Sequence, residues 1–364
     1  MSFILTDEQA MLAETARGFF AEHAPVSRLR AMRDAGGRLD CELWRSVAEL
    51  GLAGMAVSPD HGGSGFGHVG VGAVMEAAGA TLAATPLIGH AVIAAHMLAS
   101  AGRDDLLPGL ASGDMLYAVA VDELPHHAPN RLETYAEHVG DRCRVNGHKR
   151  FVPEGDVADQ ILLLASTPAA ATVFLVDARA PGLTRTPLNT LDSRAYADLV
   201  FADTPAEPIG HGGGGAALME AALDAGRAAL AAEMLGMADA LFAQTLDYLK
   251  TRQQFGALIG SFQALQHRAA KLASELQLMR SAVRAAAVAL DVRANDVAAA
   301  CSLAKARASA TLHDVSNEAV QMHGGIGVTD AADIGLYLKR ARVAEALLGN
   351  AVFHADRWAG LQGF

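Results

Sequence analysis

Apolar residues recur every three or four positions near the start of the chain, which places them on one face of a helix. Leu12, Ala16 and Phe20 form such a stripe, and Asp7 can cap the helix that carries it. Residues 5–115 continue in this pattern, but proline and glycine divide the region into short helices. These breaks are Pro25, Gly36-Gly37, Gly62-Gly63, Pro86 and Gly102.

The pattern changes in residues 116–205, where short runs rich in valine, leucine and phenylalanine are separated by turns. Asn146-Gly147 and Pro181-Gly182 are two of these turns. The runs are LYAVAVDE, HVGDRCRVNGHKRFV, DQILLLAS, ATVFLVDA and ADLVFAD. Their length and spacing predict a small antiparallel β-domain.

A second helical region follows a loop of four glycines, Gly212 to Gly215. Helical periodicity predicts four long helices there, which suggests an antiparallel bundle. The predicted helices cover residues 216–250, 262–293, 296–322 and 330–358. We therefore predict an α+β fold with an N-terminal helical domain over residues 1–115, a middle antiparallel β-domain over 116–208 and a C-terminal four-helix bundle over 209–364.

Composition and charge exclude several classes of function. Of the 364 residues, 51% are hydrophobic and 19% are charged, which is enough apolar material for a large core. The net charge of -11 argues against general nucleic-acid binding, which needs basic patches. The cysteines, Cys41, Cys143 and Cys301, lack the spacing of a zinc site, and the first residues lack the basic start of a signal peptide. We predict no metal site and a reducing, cytoplasmic location.

One uncharged stretch, residues 77–102, is long enough to span a bilayer. It contains Pro86, His90 and His96 together with many alanines, a composition that suits buried helices better than a membrane span. We therefore predict no membrane association.

Three short patterns suggest sites but lack the context that those sites need. Gly65–Gly70 and Gly210–Gly215 both match GxGxxG, yet neither follows a strand and opens a helix within a βαβ unit. We interpret the first as a turn and the second as an interdomain linker. The pair His126-His127 near Asp122 has no second cluster at metal-ligand spacing, so we predict a solvated loop.

Two segments of the C-terminal region place basic or glycine residues at helix ends. The first is TRQQFG at 251–256, followed by IGSFQ at 259–263, and its Arg252 offers donors suited to a phosphate. The second is QMHGGIG at 321–327, where paired glycines let a ligand approach the backbone closely. From the residues alone, helix capping by Gly256 and Gly324 explains these segments about as well as an anion site does.

Together, in this order and spacing, the segments resemble the acyl-CoA dehydrogenase family. GLAGMAVSPDHGGSGFG and LPGLASGD add to the resemblance, which extends over nearly the whole chain. It implies FAD bound between subunits and an acyl-CoA substrate, with an electron-transfer flavoprotein as the usual electron acceptor. It also implies two groups of FAD-binding residues. Arg252, Gln254, Phe255 and Gln263 would contact the FAD of a neighbouring subunit, and Gln321, Met322, Gly324 and Gly325 would line its adenosine-diphosphate end.

In the β-domain, the segments that face the flavin in this family correspond to residues 119–123 and 149–153. Both depart from the family pattern. Asp122 stands where a small hydroxyl residue is common, and Pro153 replaces a residue that forms a hydrogen bond.

The family reaction needs a carboxylate that removes the α-proton of the thioester, with a pKa raised by a dry site. The two positions that carry this base in the family correspond to Leu348 and Gly226, and neither residue accepts a proton. Glu345, about one turn before Leu348, is a weak candidate, and Glu233 lies about two turns beyond Gly226. For both glutamates we expect a surface or structural ion pair.

Three explanations are therefore open. The chain is one subunit of a heteromeric enzyme, such as an α2β2 heterotetramer, whose catalytic relative brings the base. Alternatively, it is a homodimeric or homotetrameric dehydrogenase with an unusual base such as Glu345. Finally, it is a non-dehydrogenase flavoprotein or a CoA-ester-binding module on the same fold. The C-terminal sequence is similar to that of bacterial enzymes acting on steroid or other bulky acyl-CoA esters, which favours the first explanation.

Overall fold

The structure is a computed structural model that describes residues 5–139, 142–210 and 213–364. His211 and Gly212 of the predicted glycine loop lie outside the described residues. The α-helices of the described chain are α1 (Asp7–His23), α2 (Val26–Asp34), α3 (Cys41–Glu49), α4 (Gly67–Ala80), α5 (Ala95–Ser100), α6 (Leu107–Ala111), α7 (Gly215–Thr251), α8 (Gln263–Asp291), α9 (Val297–His323), α10 (Ile334–Ala346) and α11 (Ala351–Leu361). The strands are β1 (Tyr117–Ala120), β2 (Tyr135–Val139), β3 (Arg142–Pro153), β4 (Gln160–Ala165), β5 (Thr172–Asp177), β6 (Leu183–Pro187), β7 (Tyr196–Ile209), β8 (Gln253–Gln254) and β9 (Ala257–Leu258).

The order of these elements is helices, then a sheet, then helices, as the sequence predicts. The chain divides into two compact units. One consists of Met1–Ala31, His68–Ala83 and Arg227–Phe364, and the other consists of Met32–Gly67 and Ala84–Gly226. The domain boundaries at residues 115 and 208 stay predictions.

The second unit contains a sheet whose central strand is β7. The strand order is β1-β4-β5-β7-β3-β2, and β6 also pairs with β7. The prediction of an antiparallel sheet is right for all pairs of this sheet but one, because β1 and β4 are parallel, with Tyr117 opposite Gln160. β2 and β3 lie between β1 and β4 in the sequence, which gives the chain the long crossover that a parallel pair requires.

His90, from the uncharged stretch 77–102, lies fully buried in the second unit. Its Nε2 lies 3.0 Å from the Leu110 carbonyl oxygen, and its Nδ1 accepts the backbone N–H of Tyr117 at 3.1 Å. Burial lowers the pKa of His90 to about 4, although the bond to Leu110 acts in the opposite direction. The imidazole therefore ties a helical segment to the first strand in its neutral form. No helix of the described residues is long and apolar enough to cross a membrane.

In the first unit, α4 and α7 cross with their backbones in contact. A Cβ atom at Gly79 would lie 2.1 Å from the Glu233 carbonyl oxygen, and one at Gly236 would lie 1.9 Å from that of Glu76. Only glycine fits at these two positions. A close approach of this kind requires small residues where the two helices meet.

The last predicted helix, residues 330–358, is wrong as a single element, because residues 347–350 separate α10 from α11. Leu348 has φ of 58° and Gly349 has φ of 104°, and neither value fits a right-handed helix. The Asn350 side chain then accepts the Phe353 backbone N–H at 2.9 Å and caps α11. The break lies at Leu348, the position at which the resemblance leads us to expect the base.

Candidate functional site

The first predicted binding segment is a tight hairpin at the end of α7. Gln253 pairs with Leu258 and Gln254 pairs with Ala257, so Phe255 and Gly256 form the turn. Both turn residues have positive φ, 53° and 77°, as in the two-residue turns that favour glycine at the second position. The Phe255 side chain projects from the tip and is 92% exposed. A large aromatic ring held in this way is available to a ligand or to another subunit.

The hairpin is held against the helix that precedes it. The Arg252 carbonyl accepts the Ile259 backbone N–H at 2.9 Å, and a Cβ atom at Gly260 would lie 2.7 Å from the Leu249 carbonyl oxygen. Gln263 is exposed and begins α8. The motif therefore needs a glycine at 260 to fold back on α7, and it presents Gln263 at the positive end of a helix dipole.

The second predicted segment closes the end of α9. Gly324 has φ of 64°, and neither Gly324 nor Gly325 has an atom within 4 Å of the place where a Cβ would stand. Gln321 is exposed, whereas Met322 is only 4% exposed and packs in the core. The backbone at the two glycines is therefore open to a ligand, and the Met322 side chain is part of the core.

The structure places both segments at the same end of the helices. The rings of Tyr248, on the last turn of α7, and His323, the last residue of α9, stack with centroids 4.4 Å apart and an interplanar angle of 20°. Near the start of α8, Arg268 forms a two-pronged ion pair with Glu318 of α9, with N–O distances of 2.6 and 2.8 Å. All eight predicted FAD-binding residues thus lie on or beside neighbouring helix ends.

The residues of these two segments suit a dinucleotide. Within the described part of the chain, the Arg252 guanidinium forms no ion pair, which leaves its fork of donors for a phosphate. The Gln254 and Phe255 side chains are exposed, and the bare backbone of Gly324 and Gly325 allows close approach. An anionic, aromatic ligand such as FAD fits this set of donors and surfaces.

The segment around Leu348 has a backbone with positive φ that is held by hydrogen bonds. Leu348 is buried, and its carbonyl oxygen lies 2.9 Å from His354 Nε2, which must carry the hydrogen because a carbonyl only accepts. Lys305 of α9 is fully buried and donates to the Gly349 carbonyl at 2.8 Å, to the Ser309 hydroxyl at 3.1 Å and to the Glu345 carbonyl at 3.3 Å. Burial lowers the pKa of Lys305 to about 7.

Neither candidate glutamate stands free as a base. The Glu345 carboxylate pairs with Arg342 and lies 3.2 Å from His313 Nδ1. The buried Glu233 carboxylate pairs with Arg340 at 2.9 and 3.0 Å. Gly226, at the other base position, is buried within α7. Both carboxylates therefore take part in ion pairs, the role expected of them.

The altered β-domain segments contain a buried ion pair that sequence patterns do not reveal. Lys149 Nζ lies 2.6 Å from Glu123 Oε1, and the Glu123 carboxylate also accepts the backbone N–H groups of Glu133 and Thr134. Burial acts to raise the pKa of Glu123, but the charge and hydrogen bonds of these partners outweigh it and lower the pKa. Asp122 lies 3.0 Å from His127, and the described residues contain no group of His, Cys, Asp and Glu suited to a metal.

Three further positions were not predicted from the sequence: Tyr248, His323 and Lys305. Tyr248 lies one turn before Arg252 and His323 lies inside the glycine segment, so proximity along the chain is the available signal. Their contacts join different helices, and no spacing in the sequence indicates which helices become neighbours.

Family profiles match both ends of the chain. The profile described as the acyl-CoA dehydrogenase N-terminal domain matches residues 6–114, and the one described as the C-terminal domain matches residues 213–359. Acyl-CoA dehydrogenase IpdE2 of Mycolicibacterium smegmatis is 31% identical over 347 residues, covering 95% of this chain and 96% of that protein. Acyl-CoA dehydrogenase FadE27 of Mycobacterium tuberculosis is 33% identical, with 86% of each chain covered.

Solved structures agree with these matches. The Tcur3481-Tcur3483 steroid ACAD is 33% identical, with a TM-score of 0.90 and 98% of each chain covered. The ChsE4-ChsE5 complex from Mycobacterium tuberculosis is 28% identical, with a TM-score of 0.92 and 100% of each chain covered. The predicted fold class and FAD cofactor are confirmed, and this chain belongs to the acyl-CoA dehydrogenase family.

Proposed function

We propose that the chain is the FAD-binding, base-lacking subunit of a heteromeric acyl-CoA dehydrogenase. A related partner subunit, which retains the glutamate, removes the α-proton of the thioester. The observation that carries this proposal is Leu348, an apolar side chain in the segment that supplies the base in the family. Intact binding segments at 252–263 and 321–327 beside a lost base fit such a division of labour.

In this proposal, bound FAD supplies the acceptor for the hydride that leaves the β-carbon. The chain's own residues bind and orient. Arg252 and Gln254 would hold the phosphates and the polar edges of FAD. Phe255 would cover an aromatic surface of FAD, and Gly324-Gly325 would donate backbone N–H groups to it. The Leu348 side chain keeps its surroundings dry, which strengthens any charged interaction there, and its backbone N–H is a donor for the thioester carbonyl.

The proposed substrate is an acyl-CoA ester with a bulky, steroid-type acyl group. The support is the similarity to a structure described as a steroid ACAD, at 33% identity over almost the whole chain. We further propose an electron-transfer flavoprotein as electron acceptor and a cytoplasmic location.

The test is to produce the chain alone, a base-retaining relative alone, and the two together. We expect only the pair to bleach the visible flavin band when a steroid-type acyl-CoA is added without oxygen. Replacing the partner's glutamate by glutamine should abolish bleaching while the FAD content stays unchanged. Oxidation of acyl-CoA by this chain alone, or an inactive pair, would overturn the proposal.

A homomeric enzyme that uses Glu345 is the second candidate. The pairing of Glu345 with Arg342 and His313 speaks against it, because these partners occupy both carboxylate oxygens. If the chain alone proves active, Glu345→Gln decides the matter: a loss of flavin bleaching with FAD retained would identify Glu345 as the base.

A further inference from the structure

The stacked rings of Tyr248 and His323 join the two segments that we propose bind FAD. Tyr248 precedes Arg252 by one helical turn, and His323 directly precedes Gly324. Their ring centroids lie 4.4 Å apart, with an interplanar angle of 20°. No other ring pair within the described residues links the end of α7 to the end of α9.

Each segment is separately fixed to the helix that it follows. The first segment lies on the last turns of α7, where Gly260 approaches the Leu249 carbonyl. The second lies on the last turns of α9, where a Cβ atom at Gly327 would be 2.9 Å from the Val320 carbonyl oxygen. Because each loop moves with its own helix end, the contact between those ends sets the distance between the loops.

The orientation of the His323 ring is itself fixed. Its Nδ1 lies 2.7 Å from the Ala319 carbonyl oxygen, one turn back on α9, so Nδ1 carries the hydrogen. The ring is nearly buried, at 9% exposure. Tyr248 therefore stacks on a ring whose orientation is fixed. The Arg268–Glu318 ion pair, which joins the start of α8 to α9, is partly exposed, and exposed ion pairs contribute little to stability.

We propose that Tyr248 and His323 are positioning residues that hold the two FAD-binding segments at the separation the nucleotide requires. This inference rests on the proposed function of those segments. A ligand that contacts both loops at once loses affinity when they move relative to one another, because binding must then order them. Neither ring needs to touch the cofactor.

The test is a double-mutant cycle on FAD affinity, measured by flavin fluorescence in the assembled protein after removal of FAD. Tyr248→Leu and His323→Leu each break the stack and keep an apolar side chain. We expect each to weaken FAD binding about two- to tenfold, the range that corresponds to one aromatic pair. The double variant should be no weaker than the weaker single variant, because the stack is already lost.

Three comparisons separate positioning from general stability. Tyr248→Phe keeps the ring and should bind FAD within about twofold of the wild type, since the stack persists. Tyr135→Leu, the same exchange on the exposed strand β2, should leave FAD affinity unchanged. Circular dichroism should show every FAD-free variant fully folded at the temperature of the binding assay, so that a loss of affinity does not reflect unfolding.

Additive losses in the double variant, equal losses in Tyr248→Phe and Tyr248→Leu, or unchanged affinity in Tyr248→Leu would overturn the inference. If Tyr248→Leu does not fold, His323→Gln takes its place with the same expected loss, since an amide can still donate to Ala319. Arg252→Met distinguishes a failure of the proposed binding segments from a failure of the positioning role. If it leaves FAD affinity unchanged, the proposed binding segments fail; if it weakens binding while the stack variants do not, only the inference fails.

Discussion

Leu348 is a buried residue with positive φ, at the position where we propose that the base is missing. Its φ of 58° costs a leucine about 1–2 kcal/mol, so the surrounding contacts must hold it there. His354 and Lys305 do so by binding the carbonyl oxygens of Leu348 and Gly349. These contacts go to backbone atoms, so they do not require a leucine side chain at position 348.

We therefore expect Leu348→Glu to give the FAD-loaded chain, in the absence of the partner, acyl-CoA-dependent flavin bleaching that the wild-type chain lacks. A carboxyl group at this buried position would have a raised pKa, as a proton acceptor in this reaction needs. Anaerobic titration with acyl-CoA measures the effect. Leu348→Gln, matched in size but unable to take up the proton, is the control, and equal inactivity of the two variants would contradict the expectation.

Lys305 should make the stability of the chain depend on pH. Burial lowers its pKa to about 7, whereas the unfolded chain has a lysine pKa of about 10.4. Between these values the unfolded state binds a proton that the folded state has lost, so the contribution of Lys305 to stability increases with pH in this window. Below pH 7 both states are protonated and the penalty for burying the charge is at its largest.

The measurement is urea unfolding of the wild type and Lys305→Met at pH 7, 8 and 9. Relative to the variant, the wild type should gain free energy of unfolding by at most about 1.4 kcal/mol per pH unit. Lys339→Met removes an exposed lysine from α10. Its free energy of unfolding should change with pH as that of the wild type does. If the free energy of unfolding of Lys305→Met also changes with pH as that of the wild type does, the pKa of Lys305 is not lowered.

At the level of elements, most helices and strands follow from patterns in the sequence. The last helix was predicted as one because residues 330–358 keep an apolar stripe across the break. Periodicity reports which face is buried, and it does not report the positive φ of Leu348, which depends on the distant Lys305 and on His354. The parallel pairing of β1 with β4 was missed for a similar reason, because strand order depends on contacts far apart in sequence.

The crossing of α4 and α7 gives a prediction at the same level. Gly236→Ala should lower stability by about 1–3 kcal/mol, because its Cβ would lie 1.9 Å from the Glu76 carbonyl oxygen and the two helices would have to separate. Gly335→Ala on α10 meets no atom within 4 Å and should change stability by less than about 0.5 kcal/mol. Thermal unfolding of both variants tests this, and equal effects would contradict the packing argument.

For the whole molecule, the sequence predicted the order of helical and sheet regions, the fold class and the cofactor. The motifs also predict two binding segments from their arginine, glutamine and paired glycines, and the binding role of these segments stays a prediction. Their arrangement was not predictable. That the segments share one end of the helices follows from Tyr248–His323 and Arg268–Glu318, contacts between residues 50 to 75 positions apart.

The exposed apolar side chains on these two segments affect the chain before it reaches its final assembly. Phe255 is 92% and Ile326 45% exposed, and Val328, directly after the second segment, is 77% exposed. While they remain uncovered, these exposed apolar side chains favour aggregation between copies of the chain. If FAD and a partner subunit cover these side chains, as we propose, copies of the chain made in excess of both would be prone to aggregation.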